Sequence, residues 1–124
     1  MVVDDSEADL LFARIVLERA EAGFEVLPYE SAREALARLQ DAAAAPVDLV
    51  LLDINMPGMN GFEFLDAFER LPPERRRSAV VVMLTSSPDP ADRERALAHR
   101  CVRGYVTKPM SRQAVADLLR HCGG

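Results

Sequence analysis

Five short apolar runs, each followed by a segment of helical periodicity, restrict this chain more than any other feature of its sequence. The runs are Met1 to Val3, Phe24 to Tyr29, Leu49 to Leu52, Ala79 to Leu84 and Gly104 to Thr107. Consecutive β-branched residues, Val80, Val81 and Val82, make the fourth the clearest buried strand. The third and fourth runs are continuously apolar rather than alternating, as in parallel strands covered on both faces. Strand then helix, five times over, implies an α/β fold: a doubly wound parallel sheet of five strands with five helices, joined by right-handed crossovers. Only Met1, Val2 and Val3 precede Asp4, so the first strand is expected to be truncated, at a cost in ladder hydrogen bonds and core contacts.

The helical segments mark their own boundaries. The first runs from about Glu7 to Ala22 and stops at Gly23, a residue type favoured just past a helix end. Its stripe of Ala8, Leu11, Phe12, Ile15 and Ala22 is expected to face the core, with Glu7, Arg14, Glu18 and Glu21 outside. The second opens with Ser31 and Glu34 at capping-box spacing, and the alanine run from Ala42 to Ala45 reads as a helix end. The third begins near Gly61 and buries Leu65 and Phe68. The fourth opens with Asp89 as N-cap and Pro90 at its first position. Its apolar content is almost confined to Ala91, Ala96 and Leu97, so it is thinly anchored and a natural moving part. The fifth starts at Ser111 and carries Ala114, Val115, Leu118 and Leu119 on one face.

A chain of 124 residues has room for one domain, and 49% hydrophobic residues supply a core without disulfides. No apolar run approaches the roughly 18–20 residues of a membrane span, and no basic segment precedes an apolar stretch at the N-terminus; the cytoplasm is the expected location. Cys101 and Cys122 fit no metal-ligand spacing and read as free thiols. A net charge of -5 argues against a nucleic-acid binder. The one basic run, Arg75-Arg76-Arg77, follows Pro72-Pro73-Glu74 and reads as a solvated loop rather than a phosphate site. Every other basic residue is arginine, which singles out Lys108 as the one position with a compact ammonium.

In open parallel sheets, ligands bind outside the carboxyl ends of the strands. After the first run come Asp4 and Asp5; after the third, Asp53; the fourth ends in Thr85 and the fifth in Thr107-Lys108-Pro109. Singly, each Asp reads as a turn or capping residue, Thr85 as the start of a loop and Lys108 as a surface charge. Together, three carboxylates at one edge repel one another and raise each other's pKa unless a cation compensates. A divalent metal and Lys108 would do so, and oxygen ligands without His or Cys nearby suit Mg²⁺. A carboxylate in that setting can attack a phosphoryl group, while the metal and the ammonium neutralise charge on the transferring oxygens and a hydroxyl such as Thr85 donates to one of them.

The stretches Val2-Val3-Asp4-Asp5, Leu51-Leu52-Asp53-Ile54-Asn55-Met56-Pro57-Gly58-Met59-Asn60-Gly61, Val81-Val82-Met83-Leu84-Thr85-Ser86 and Gly104-Tyr105-Val106-Thr107-Lys108-Pro109 appear in that order. With them the chain resembles, over essentially all of residues 1–124, the receiver domain of two-component response regulators. The resemblance implies a flavodoxin-like sheet of order 2-1-3-4-5. It makes Asp53 the phosphoacceptor, with Mg²⁺ held by the carboxylates of Asp5 and Asp53, the backbone carbonyl of Asn55 and, largely through water, Asp4. Lys108 would pair with the phosphoryl group, its bond to Pro109 would be cis, and Thr85 and Tyr105 would form the switch pair. Asn55 and Ser87 would tune hydrolysis.

The implied function is that of a single-domain response regulator, a phosphoacceptor signalling protein rather than an enzyme. It would be charged by a sensor histidine kinase or a histidine phosphotransfer protein. With no output domain expected after Leu119, it would act by onward phosphotransfer or through contact with a downstream protein, or a second copy of the chain as a homodimer, on the face made by the fourth helix, fifth strand and fifth helix. Cys101 and Arg103 are expected in the segment between that helix and strand. Three rivals fare worse. An interaction module that is never phosphorylated would not need the full set of Asp4, Asp5, Asp53, Thr85 and Lys108. A phosphate-ester hydrolase working through an aspartyl intermediate would want an acid where Asn55 stands, and a cap over the site. A flavin-binding protein would want a Ser/Thr- or Gly-rich turn where Asp4 and Asp5 stand.

Overall fold

The computed structural model describes residues 1–20, 25–41, 43–76, 79–86, 89–108 and 111–122, the last helix by its backbone alone beyond residue 117. In chain order the elements are β1 (Val2–Val3), α1 (Glu7–Glu18), β2 (Pro28–Tyr29), α2 (Ala32–Gln40), β3 (Leu49–Asp53), α3 (Gly61–Glu69), α4 (Pro73–Arg76), β4 (Val80–Thr85), α5 (Pro90–Leu97), β5 (Val102–Thr107) and α6 (Arg112–Cys122). The strands form one sheet of order β2-β1-β3-β4-β5, parallel throughout, as the resemblance implied.

Strand β1 is only two residues long, yet it is central: Val2 pairs with Pro28 and Leu51, and Val3 with Tyr29 and Leu52. Bonds beyond its ends compensate for its length. The Met1 amino group donates to the Leu49 carbonyl at 2.8 Å, Leu51 N–H donates to the Met1 carbonyl at 2.9 Å, and Asp4 N–H donates to the Tyr29 carbonyl at 3.0 Å. The ladder therefore runs past the strand on both sides and leads straight into the acidic pair.

Alternation along the strands divides the core in two. Val3, Val50, Leu52, Val81 and Met83 face α2 and α3, where Phe64, Leu65 and Phe68 are fully buried. Val2, Leu49, Leu51, Val82 and Leu84 face α1 and α6 through Leu10, Ala13, Leu17 and Val115. Each fully buried large side chain contributes about 1.5–3 kcal/mol relative to exposure, so both faces hold the strand ends rigidly.

Three expectations need correction. First, α1 buries Leu10, Ala13 and Leu17, while Leu11, Phe12 and Ile15 are among the most exposed large apolar residues described. The helix carries two apolar stripes; the one that docks is fixed by its entry, with Ser6 as N-cap accepting from Asp9 N–H. Second, among the described residues there are six helices rather than five, because Pro73–Arg76 forms the short α4. Pro73 opens it, Arg75 and Arg76 N–H donate to the Pro72 carbonyl at 2.8 and 3.3 Å, and Arg76 Nε reaches the Leu71 carbonyl at 3.0 Å. Third, β5 begins at Val102, so Arg103 lies inside the strand rather than before it. As expected of a thinly anchored helix, α5 buries Ala96 alone and leaves Leu97 exposed. That helix is nonetheless tied to α3: the Arg95 guanidinium stacks 4.0 Å over the Phe62 ring, and His99 Nδ1 lies 2.6 Å from Glu69 Oε1. Ala22, Gly23 and Phe24 fall outside the described residues, as do the side chains of Leu118 and Leu119.

Candidate functional site

The carboxyl edge of the sheet collects the polar groups that the strands deliver. Asp4 follows β1, Asp53 ends β3, Thr85 ends β4 and Lys108 follows β5. Among the described residues, Asp4, Asp53 and Thr85 are the buried polar or charged side chains, while Asp5 is exposed. Every described buried polar side chain thus belongs to this one edge.

Local structure explains why the groups converge. Ile54 N–H donates to the Leu84 carbonyl at 3.2 Å and Lys108 N–H to the Thr85 carbonyl at 2.7 Å, so the ladder continues into both connecting loops. The loop after Asp53 turns at Gly58, whose φ of +82° suits glycine. It then enters α3 through a capping box in which Asn60 Oδ1 accepts from Glu63 N–H at 2.9 Å and Glu63 Oε1 from Asn60 N–H at 3.1 Å. Gly61 closes the loop onto the strand: its N–H donates to the Ile54 carbonyl at 2.8 Å. A Cβ there would meet the Asp53 carbonyl oxygen at 2.8 Å and Ile54 Cα at 2.9 Å. Only glycine lets α3 start this close to the strand end.

One carboxylate oxygen each from Asp4, Asp5 and Asp53 lie within 4.8 Å of one another. Such a donor set, three hard oxygens with neither His nor Cys, fits Mg²⁺ rather than a soft transition metal. Lys108 Nζ sits 2.6 Å from Asp4 Oδ2, 3.2 Å from Asp9 Oδ2 and 3.5 Å from Asp53 Oδ1. Burial pushes the Asp53 carboxyl from its ordinary 3.8 up to about 6; Asp4 and Asp5 push the same way, and Lys108 and a backbone hydrogen bond from Asn55 oppose. Burial pulls the Lys108 ammonium down, but its contacts with Asp4, Asp53 and Asp9 prevail and its pKa is raised. The site is therefore short of positive charge around a nearly buried carboxylate, which a divalent cation would correct.

Tyr105 is opposite Met83 in the β4–β5 register, two residues before the Thr85–Thr107 pair. Its ring packs against the α3 side of the core, and its hydroxyl is buried without a hydrogen-bond partner among the described residues. Asn55 is exposed, directly past the strand end. Pro109 and Ser87 lie outside the described residues, and the cis bond expected at Pro109 with them. His99 and Cys101 both contact Glu69 at the opposite edge of the sheet, away from the carboxylates. Two residues of the site were not singled out from sequence. Asp9 had a signal, since it stands three residues after the N-cap Ser6 and so falls in the first turn beside the acidic pair. Gly61 had one in its place at the end of the Asp53 loop, but its close approach to the strand is tertiary.

The model of the response regulator receiver domain matches residues 1–120. The sensor protein GacS of Pseudomonas syringae is 32% identical over 96% of this chain, which spans 13% of that protein's length. Protein PilH of Pseudomonas aeruginosa is 30% identical over 93% of the chain and 88% of its own length. A two-component response regulator from Cytophaga hutchinsonii, solved by crystallography, superposes with a TM-score of 0.88 at 29% identity, covering 96% of this chain and 91% of that one.

Proposed function

The chain belongs to the response regulator receiver family, and on that premise we propose that it accepts a phosphoryl group on Asp53, with Mg²⁺ as cofactor, and passes the signal on by protein contact. The observation that carries this reading is the Asp53 carboxylate, nearly buried at the end of β3, grouped with Asp4 and Asp5 and 3.5 Å from Lys108. An ionised Asp53 oxygen attacks phosphorus, the new P–O bond forms, and the donor's leaving group departs with the electron pair of the broken bond. For a phosphohistidine that leaving group is imidazole. Asp5 and Asp53 would hold Mg²⁺ by their carboxylates, Asn55 by its backbone carbonyl and Asp4 through water. When bound, the ion supplies charge neutralisation for the transferring oxygens. Lys108 pairs with the phosphoryl group, Thr85 donates to one of its oxygens, and Tyr105 turns with it as the second half of the switch.

The donor in this reading is a sensor histidine kinase or a histidine phosphotransfer protein, and residues 1–124 act as one receiver domain in the cytoplasm. Among the described residues no helix is long and apolar enough to cross a membrane. The output face is formed by α5, β5 and α6, where a hollow of about 630 Å³ is lined by Arg93, Leu97, Arg103, Tyr105 and Gln113 among others. A downstream protein or a second copy of the chain would dock there. The protein serves as a phosphoacceptor, not a turnover enzyme. Incubation with Mg²⁺ and acetyl phosphate, followed by intact-mass measurement, is expected to show one added phosphoryl group in the wild type and none in Asp53→Asn or in EDTA. Equal uptake by the Asn variant would refute the assignment.

A further inference from the structure

The hydrogen bonds around the acidic pair close into a ring that reaches α1. Asp4 Oδ1 accepts from Ser6 N–H at 2.9 Å, and Ser6 Oγ accepts from Asp9 N–H at 3.4 Å. Lys108 Nζ then donates to Asp9 Oδ2 at 3.2 Å and back to Asp4 Oδ2 at 2.6 Å. Three carboxylates surround the ammonium, and its hydrogen bonds go to Asp4 and Asp9. Asp53, the one that needs the charge when a phosphoryl group arrives, is the most distant at 3.5 Å. Asp9 is not a strand-end residue; it is brought in by the first turn of α1, and its side chain is half exposed while that of Lys108 is nearly buried.

We propose that Asp9 is a positioning residue, a latch that withholds Lys108 from Asp53 in the resting protein and ties α1 to the loop after β5. The idea rests on the reading of Asp53 as phosphoacceptor. A phosphoryl group on Asp53 brings nearly two negative charges and three acceptor oxygens within reach of the ammonium. Against that, a half-exposed carboxylate is the weaker partner, so Lys108 leaves Asp9 and keeps Asp4. A hollow of about 280 Å³ lined by Ala8, Phe12, Ala13 and Leu84 adjoins Lys108, so its methylene stem can swing without displacing packed atoms. Release of Asp9 frees the first turn of α1 from the far side of the site. The state of Asp53 is thereby reported to α1 as well as to the Thr85 and Tyr105 side of the sheet.

Because Lys108 is the sole lysine, its ¹⁵Nζ signal is a single resonance in lysine-labelled protein. In the metal-free chain, Asp9→Asn is expected to shift that resonance and speed its proton exchange, and Asp9→Glu to restore it. Adding Mg²⁺ and beryllofluoride should bring the wild-type and Asp9→Asn resonances together, since both then serve Asp53. With acetyl phosphate and Mg²⁺, Asp9→Asn should take up phosphoryl roughly two- to fivefold faster, the range a partly exposed ion pair commands, and the difference should fade in high salt. An Nζ resonance indifferent to Asp9→Asn, or uptake that is equal or slower in the variant, overturns the latch. Absence of uptake in the wild type would instead strike the assignment of Asp53, and the Nζ comparison in metal-free protein decides the latch on its own.

Discussion

Replacing Asp53 by Asn is expected to stabilise the metal-free fold at neutral pH, although it deletes the residue on which the function rests. The folded protein holds the Asp53 proton more tightly than the unfolded chain does, because burial and the neighbouring Asp4 and Asp5 raise its pKa from 3.8 to about 6. A carboxyl shifted upward contributes its stability below the unfolded value and loses it as pH rises through the folded value. Between 3.8 and about 6, at about 1.4 kcal/mol per pH unit, the ceiling is about 3 kcal/mol. Asp5, beside Asp53 in the cluster, is exposed to solvent, and screening brings the expected gain to about 1–2 kcal/mol. The lost attraction to Lys108 does not reverse the sign, since the ammonium keeps Asp4 at 2.6 Å and Asp9 at 3.2 Å. Urea unfolding in EDTA should show the Asn variant more stable near pH 7.5 and equal to the wild type below about pH 4. Added Mg²⁺ should stabilise the wild type by mass action and close most of the gap. A variant less stable than, or equal to, the wild type at neutral pH in EDTA would contradict the electrostatics inferred here.

Gly61→Ala is expected to cost about 1–3 kcal/mol in urea unfolding and to slow phosphoryl uptake, because its Cβ meets backbone at 2.8 and 2.9 Å; unchanged stability would mean that α3 can retreat from Asp53 freely. Leu17→Ala should cost about 2–5 kcal/mol, whereas Leu11→Ala should stay within about 0.5 kcal/mol; the reverse order would show that α1 docks on its other face. Arg95→Ala should loosen α5 by about 0.5–1 kcal/mol, read as faster amide exchange from Pro90 to Leu97, and unaltered protection would exclude the Phe62 stack as its tether.

The parallel sheet was legible because buried parallel strands must be continuously apolar, and each crossover needs a helix with readable caps such as Asp89-Pro90; its strand order came from the resemblance to receiver domains. The carboxyl-edge groups followed, since a strand end fixes where its next residue goes. What escaped prediction depends on choices that periodicity leaves open. Leu10, Ala13 and Leu17 compete with Leu11, Phe12 and Ile15 for the sheet, and both stripes satisfy a helical period. Helix α4 has no apolar face to detect, as none of its residues is buried. The pairing of Glu69 with His99 and of Asp9 with Lys108 joins residues far apart in sequence, and a charged surface residue carries no mark of its partner.

The most direct measurement is the position of the label. After incubation with acetyl phosphate and Mg²⁺, borohydride reduction converts an aspartyl phosphate to homoserine, and peptide mass spectrometry locates it. The account predicts homoserine at position 53 alone, dependent on Mg²⁺ and absent from protein that was never phosphorylated. Homoserine at position 4 or 5, or none after stoichiometric phosphoryl uptake, would contradict it.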